Sequence, residues 1–186
     1  MLDLKPASTE LVRLVRAVAD EDLGRRTPCA EYDLGQVISH VDEVSQGFAD
    51  LARKQVTPGA APSPTRFEGS WRDRVGRHVM QLGAAWDDPA AWRGSTDVGV
   101  ELPNETWGKV ALTELVVHGW DIARAAGLPI AFPAETLRAC LDHVAVFVPA
   151  APVPQLWGPR QPVGDDAPLL DRIVAITGRD SSYRAD

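Results

Sequence analysis

Cysteine is nearly absent: Cys29 and Cys140 are the only two in 186 residues. Two cysteines make no disulfide framework, so the expected setting is a reducing cytoplasm and a fold held by its own core. Lysine is almost as scarce, with Lys5, Lys54 and Lys109 the only three among 19 cations. Acidic side chains outnumber basic ones 26 to 19, for a formal net charge of −7 and a pI near 5.1. A protein that tracks phosphates needs a concentrated cationic face. None is visible, which argues against nucleic acid as a partner. Long apolar runs are missing too: the strongest patches, around Leu115–Val117 and Val144–Val148, fall far short of the ~20 residues of a spanning helix. No membrane attachment is expected. The opening Met1-Leu-Asp-Leu-Lys-Pro has neither the basic nor the apolar stretch of a secretory leader, so no cleaved signal is expected.

What is present is an ordinary globular mixture, 45% hydrophobic and 24% charged, which rules out a disordered or fibrous chain. The length suits one domain spanning residues 1–186 with a sizeable core. Helical periodicity dominates. Ser8 is placed to cap a first helix carrying Leu11, Leu14, Val15 and Val18, which ends near residue 22 before Gly24. Asp33 and Gln36 make a capping-box pair for a second helix over 34–53. Lys54–Gly69 is rich in Pro, Gly and Ser and reads as a loop. Trp71, Val75, Val79, Leu82 and Trp86 give a third helix over 70–86. Trp92–Asn104 alternates like a strand at Val98, Val100 and Leu102, but one short strand without a partner makes no sheet, so an extended connection is expected. A fourth helix, over 105–126, is the longest and most apolar, and Gly127 ends it. A fifth starts near Pro133, and a short last one covers about 168–177. Six of the 15 prolines lie between Pro149 and Pro168, in a loop that Trp157 is expected to pin to the body. The predicted fold is all-α: an antiparallel four-helix bundle with extra C-terminal helices and a Pro-rich loop.

On the fourth helix Glu114 and His118 lie about 40° apart, and Asp121 about 20° on the other side of Glu114, at about 100° per residue. The three share one stripe. Read alone, it is either a solvent face with an i,i+4 Glu–His pair or two ligands of a metal site. A third ligand would come from His40, His78, His143, Cys29 or Cys140. His40 flanks the apolar stripe of the second helix. His78 sits among Arg66, Arg72, Arg74 and Arg77 and is expected at the surface, as is His143 beside Asp142. Asp121 either orients a ligand from behind or pairs with Arg124 or Arg25. Trp120 is expected to pack between helices.

Thr27-Pro-Cys, with the aromatic Tyr32 three positions on and His40 on the helix that follows, resembles one family signature. Glu114-Leu-Val-Val-His-Gly-Trp-Asp-Ile-Ala resembles a second, and Leu170-Asp-Arg-Ile-Val-Ala-Ile-Thr-Gly-Arg-Asp is similar to the closing segment of short members. Together they resemble the DinB-like superfamily, in the branch typified by the N-terminal domain of mycothiol-dependent maleylpyruvate isomerase. Tyr32 stands where that branch usually has Trp. The isomerase itself carries a further C-terminal domain, not seen before Asp186, so the resemblance does not bring maleylpyruvate with it as substrate.

The resemblance implies a four-helix bundle holding a divalent metal, usually zinc, on His40, Glu114 and His118, with Asp121 as a supporting residue. It also implies chemistry of a low-molecular-weight thiol, mycothiol in an actinobacterial setting. The partners would be that thiol and a small electrophile, joined by S-transfer or thiol-assisted isomerisation. Arg72, Arg77 and Arg124 are available to neutralise an acidic substrate. A metal-carrying bundle without turnover, acting as a sensor or partner-binding module, is the alternative, and a metal-free structural bundle a third. Cys29 is either a packing residue or a reactive thiol at a helix start.

Overall fold

The computed structural model describes residues 1–56, 65–151 and 157–185. Among them are six α-helices: α1 (Lys5–Ala17), α2 (Leu34–Ala52), α3 (Trp71–Ala85), α4 (Asn104–Ala126), α5 (Ala134–Phe147) and α6 (Leu169–Ile176). Two short strands, β1 (Ser95–Asp97) and β2 (Glu101–Pro103), pair antiparallel before α4. The middle of the loop expected over Lys54–Gly69, and residues 152–156 of the Pro-rich loop, lie outside the described residues.

Helix ends follow local chemistry. At α2 both halves of the capping box form: Gln36 N–H donates to Asp33 Oδ1 at 2.8 Å, and Asp33 N–H to Gln36 Oε1 at 2.9 Å. Gly127 closes α4 in the left-handed region (φ 66°). The first helix departs from expectation. It begins at Lys5, with Pro6 in its first turn, and Ser8 is fully buried inside it rather than capping it. Proline suits an opening turn, where its missing N–H costs nothing. Ser8 instead faces Gly83 of α3, where an added Cβ would stand 2.7 Å from its Oγ. That small-on-small contact lets α1 and α3 approach closely. The helix also stops at Ala17, and Asp20–Asp22 make a separate 3-10 turn.

The core comes from the apolar stripes of α1 to α4. α1 packs on α3 and α4, α2 packs on the same two helices, and α5 lies between α4 and α6. Leu11, Leu14, Leu34, Ile38, Leu82, Leu112, Leu115 and Ile122 are fully buried there.

The segment before α4 corrects the expectation of an unpaired connection. Its partner strand lies within the same segment: Thr96 pairs with Leu102 around Gly99, whose φ of 102° makes the reversal. The hairpin is anchored by Trp107 Nε1, which donates to Thr96 O at 3.0 Å, and by Asn104 Nδ2, which donates to Arg93 O at 2.8 Å. Below it, Trp86 and Trp92 meet edge to face at 5.0 Å against Gly108 of α4. A Cβ on Gly108 would lie 2.7 Å from the Trp92 ring. Gly108→Ala is therefore expected to cost about 1–3 kcal/mol through overpacking, read as a lowered urea midpoint.

Candidate functional site

The turn before α2 sets the first ligand candidate. The Thr27 hydroxyl accepts the Cys29 N–H at 3.1 Å and donates to Tyr32 O at 2.7 Å, tying the Thr-Pro-Cys turn to the aromatic that follows it. Leu34 N–H and Gly35 N–H donate back to Arg25 O and Leu23 O. The entry to α2 is thereby fixed, and two turns later His40 comes off the helix with its ring 5.7 Å from that of Tyr32. α4 supplies the rest. It is buried almost all round, and Glu114, His118 and Asp121 emerge from it in a line facing α2 and the C-terminal segment.

The structure brings His40, Glu114 and His118 together, with one ligand atom from each lying within 4.8 Å of the others. Glu114 Oε2 stands 3.3 Å from His40 Nε2 and 3.1 Å from His118 Nε2. Two donors on one tetrahedral zinc, each at about 2.0–2.1 Å, are separated by about 3.3 Å. The donor set and the two spacings to Glu114 fit a divalent ion taking nitrogen and oxygen. Glu114 and His118 are buried, whereas His40 is half-buried and faces open space.

Asp121, fully buried, lies behind His118, with its Oδ2 at 3.0 Å from Nδ1. A carboxylate in that place holds Nδ1–H and leaves Nε2 as the ligand atom. Of the arginines expected beside Asp121, neither Arg124 nor Arg25 is its partner. Arg179 is, reaching in from the C-terminal segment with Nη2 3.0 Å from Asp121 Oδ2. Burial opposes ionisation of Glu114, but hydrogen bonds from His118 and His40 outweigh it and hold its carboxyl well below the usual range. Burial likewise opposes protonation of His118, yet Asp121 and Glu114 outweigh it and push its imidazole up to about 9. The buried carboxylates and the imidazole of this floor thus stabilise one another's charged forms.

Above the three residues opens a cavity of about 1530 Å³. Phe48, Val100, Leu102 and Trp107 supply an apolar wall, and Cys29, Tyr32, Arg160 and Arg172 line other parts. Cys29 is half-buried, and burial raises its thiol pKa against the pull of Arg179, so it stays protonated near neutral pH. None of Arg72, Arg77 and Arg124 lines the cavity. Arg72 donates to Val18 O and Asp20, Arg77 borders a groove between α1 and α3, and Arg124 lies over Trp120. The arginines on the cavity wall are Arg160, Arg172 and Arg179, all from the C-terminal segment. Trp120 is fully buried, as expected of a packing residue. Trp157 itself packs against the core near the Arg179 guanidinium.

The other two histidines depart from the expected surface positions. His78 is half-buried, its Nδ1 2.6 Å from Oδ1 of buried Asp42, and Thr65 Oγ1 donates to the other oxygen at 2.6 Å. The carboxylate across the helix pair, not the neighbouring arginines, decides its setting. His143 is stacked on Phe147, with ring centroids 4.8 Å apart. Burial, and secondarily the Lys109 ammonium, pushes its pKa down to about 4. The unfolded chain takes up this proton first, near pH 6.5. His143 thus leaves stability intact above about 6.5 and removes it progressively as pH falls towards 4. Comparing His143→Phe with wild type by urea unfolding at pH 7 and pH 4.5, the variant should lose about 1–2 kcal/mol less on acidification, after discounting for partial exposure.

A family model described as the mycothiol maleylpyruvate isomerase N-terminal domain matches residues 4–123, well over half of the chain. The chain belongs to this family. Two relatives, the uncharacterised proteins Rv0738 and MT0763 of Mycobacterium tuberculosis, are each 25% identical to it over 184 residues, 93% of either chain. Among solved structures, a mutant of the mycothiol-dependent maleylpyruvate isomerase is similar in fold, with a TM-score of 0.55 at 14% identity. That alignment covers 77% of this chain and 66% of the isomerase chain. His40, Glu114, His118 and Asp121 all fall inside the matched family region, and Arg179 falls outside it. Sequence reasoning missed Arg179. Its only signal was its place in the closing segment, Thr177-Gly-Arg-Asp, which says nothing about where the guanidinium goes. No helix among the described residues is long and apolar enough to cross a membrane.

Proposed function

We propose that this chain is one domain, an antiparallel four-helix bundle of α1 to α4 with C-terminal additions. In this reading it holds a divalent ion, zinc by its donor chemistry, on His40, Glu114 and His118. We further propose that it catalyses a reaction of a low-molecular-weight thiol, mycothiol by family, with a small electrophile, either S-transfer or thiol-assisted isomerisation. The observation that carries the reading is the convergence of three nitrogen and oxygen donors on the floor of an open cavity. When bound, such an ion supplies Lewis acidity that makes a coordinating thiol give up its proton.

The residues divide the remaining work. Asp121 orients His118. The apolar wall of Phe48, Val100, Leu102 and Trp107 limits water around the reacting groups. Arg160 and Arg172, which line the same cavity, suit an anionic group of either reactant. Burial, which raises the Cys29 thiol pKa, works against Cys29 as a competing nucleophile.

Adding a small thiol to the Co²⁺-substituted protein should produce a sulfur-to-metal charge-transfer band. The band should vanish in His40→Ala and Glu114→Ala and survive Cys29→Ala. Loss in Cys29→Ala would make the chain's own cysteine the sulfur donor. A wild-type spectrum indifferent to thiols would leave the non-catalytic metal-binding bundle as the better reading.

A further inference from the structure

The ion pair behind His118 ties two distant parts of the chain together. Arg179 is 58 residues beyond Asp121, yet both are buried and they meet through two contacts, Nη2–Oδ2 at 3.0 Å and Nε–Oδ1 at 3.4 Å. The guanidinium is itself held from behind. Its Nη1 donates to Thr177 O at 2.7 Å, and the Arg179 N–H donates to Val174 O at 2.8 Å, continuing the end of α6. Asp121 Oδ2 is the decisive atom. It receives the Nη2 arm of the Arg179 fork and also faces His118 Nδ1 at 3.0 Å, so the position of one donor sets the geometry offered to the other. A carboxylate present only to neutralise an arginine would not need to share that oxygen with an imidazole.

We infer that Arg179 is a positioning residue of the proposed centre: its fork on Asp121 fixes the imidazole of His118, so that metal affinity depends on the docking of the C-terminal segment. This rests on the metal-centre reading above, and its test separates the two. A planar guanidinium restrains both carboxylate oxygens, which a point charge does not. Partners behind a ligating histidine typically govern 10–100-fold in metal affinity.

The experiment is Zn²⁺ competition against a chromophoric chelator, with helical CD monitored, on wild type, Arg179→Met, Arg179→Lys, Asp121→Asn and the double variant Asp121→Asn/Arg179→Met. Arg179→Met is expected to weaken Zn²⁺ about 10–100-fold. Arg179→Lys, which keeps the charge and the fold but loses the fork, should fall between it and wild type. Because Arg179 acts through Asp121, Arg179→Met should add less than about twofold in the Asp121→Asn background, the signature of a coupled pair. Wild-type affinity in Arg179→Met or in Arg179→Lys, or a full second loss in the double variant, overturns the positioning role while leaving the centre standing. Absence of Zn²⁺ binding by wild type overturns the centre, and the inference with it.

Discussion

His118→Ala protein is expected to keep its helices and lose its metal. Wild type should carry about one divalent ion per chain, and removing one of the three proposed ligands should weaken binding more than the ~100-fold assigned to a supporting residue. Elemental analysis after desalting should then find the variant nearly empty. His78→Ala and His143→Ala are the controls and should load like wild type, because His78 is committed to Asp42 and His143 lies against Phe147. Metal content should also fall with pH, since both imidazoles bind neutral. The proton that Asp121 and Glu114 help His118 to hold must leave before an ion can bind there. Equal metal in His118→Ala and wild type would remove the basis of the proposed centre.

The second large effect belongs to the backbone. Gly178 has φ 88°, a region unfavourable to any side chain, and a Cβ there would stand 2.5 Å from Gly158 Cα and 2.6 Å from its carbonyl carbon. Both obstacles are main chain and cannot rotate away. Gly178→Ala is expected to cost about 3 kcal/mol or more, from strain and overpacking combined. The loss should be read in urea unfolding and in the fluorescence of Trp157, whose segment crosses at this point. Gly127 provides the comparison: its φ of 66° is similarly unfavourable, but nothing lies within 4 Å of an added Cβ. Gly127→Ala should cost only about 1 kcal/mol. Similar costs for the two would show that the crossing of Gly158 and Gly178 is not tight.

The helices were readable because each buries one stripe, and a stripe leaves a three-and-four spacing in the sequence. α2, α3 and α4 accordingly start and stop within a residue or so of expectation. α1 misled because serine is a good cap in isolation, whereas here its small size, not its hydroxyl, meets Gly83. The hairpin was hidden because pairing is a relation between two short runs, neither of which shows it alone. At the site, the stripe of Glu114, His118 and Asp121 was visible from helical angles, but its meeting with His40 came only from the resemblance. The cavity's arginines were illegible for a further reason: the C-terminal segment that carries them returns across the fold, and no spacing rule links Arg179 to Asp121.

That long return gives the protein a temporal order. On the ribosome, α4 emerges before the segment that packs on it, so for an interval the carboxylate of Asp121 has no guanidinium to meet. In that interval His118 is the partner it has, and burying the carboxylate without its second partner costs more. Tight packing of α4 around that carboxylate is therefore expected to be complete only after Arg179 has been made. Chains cut short before Arg179 should be left loosely packed, and so conspicuous to the cell's proteases.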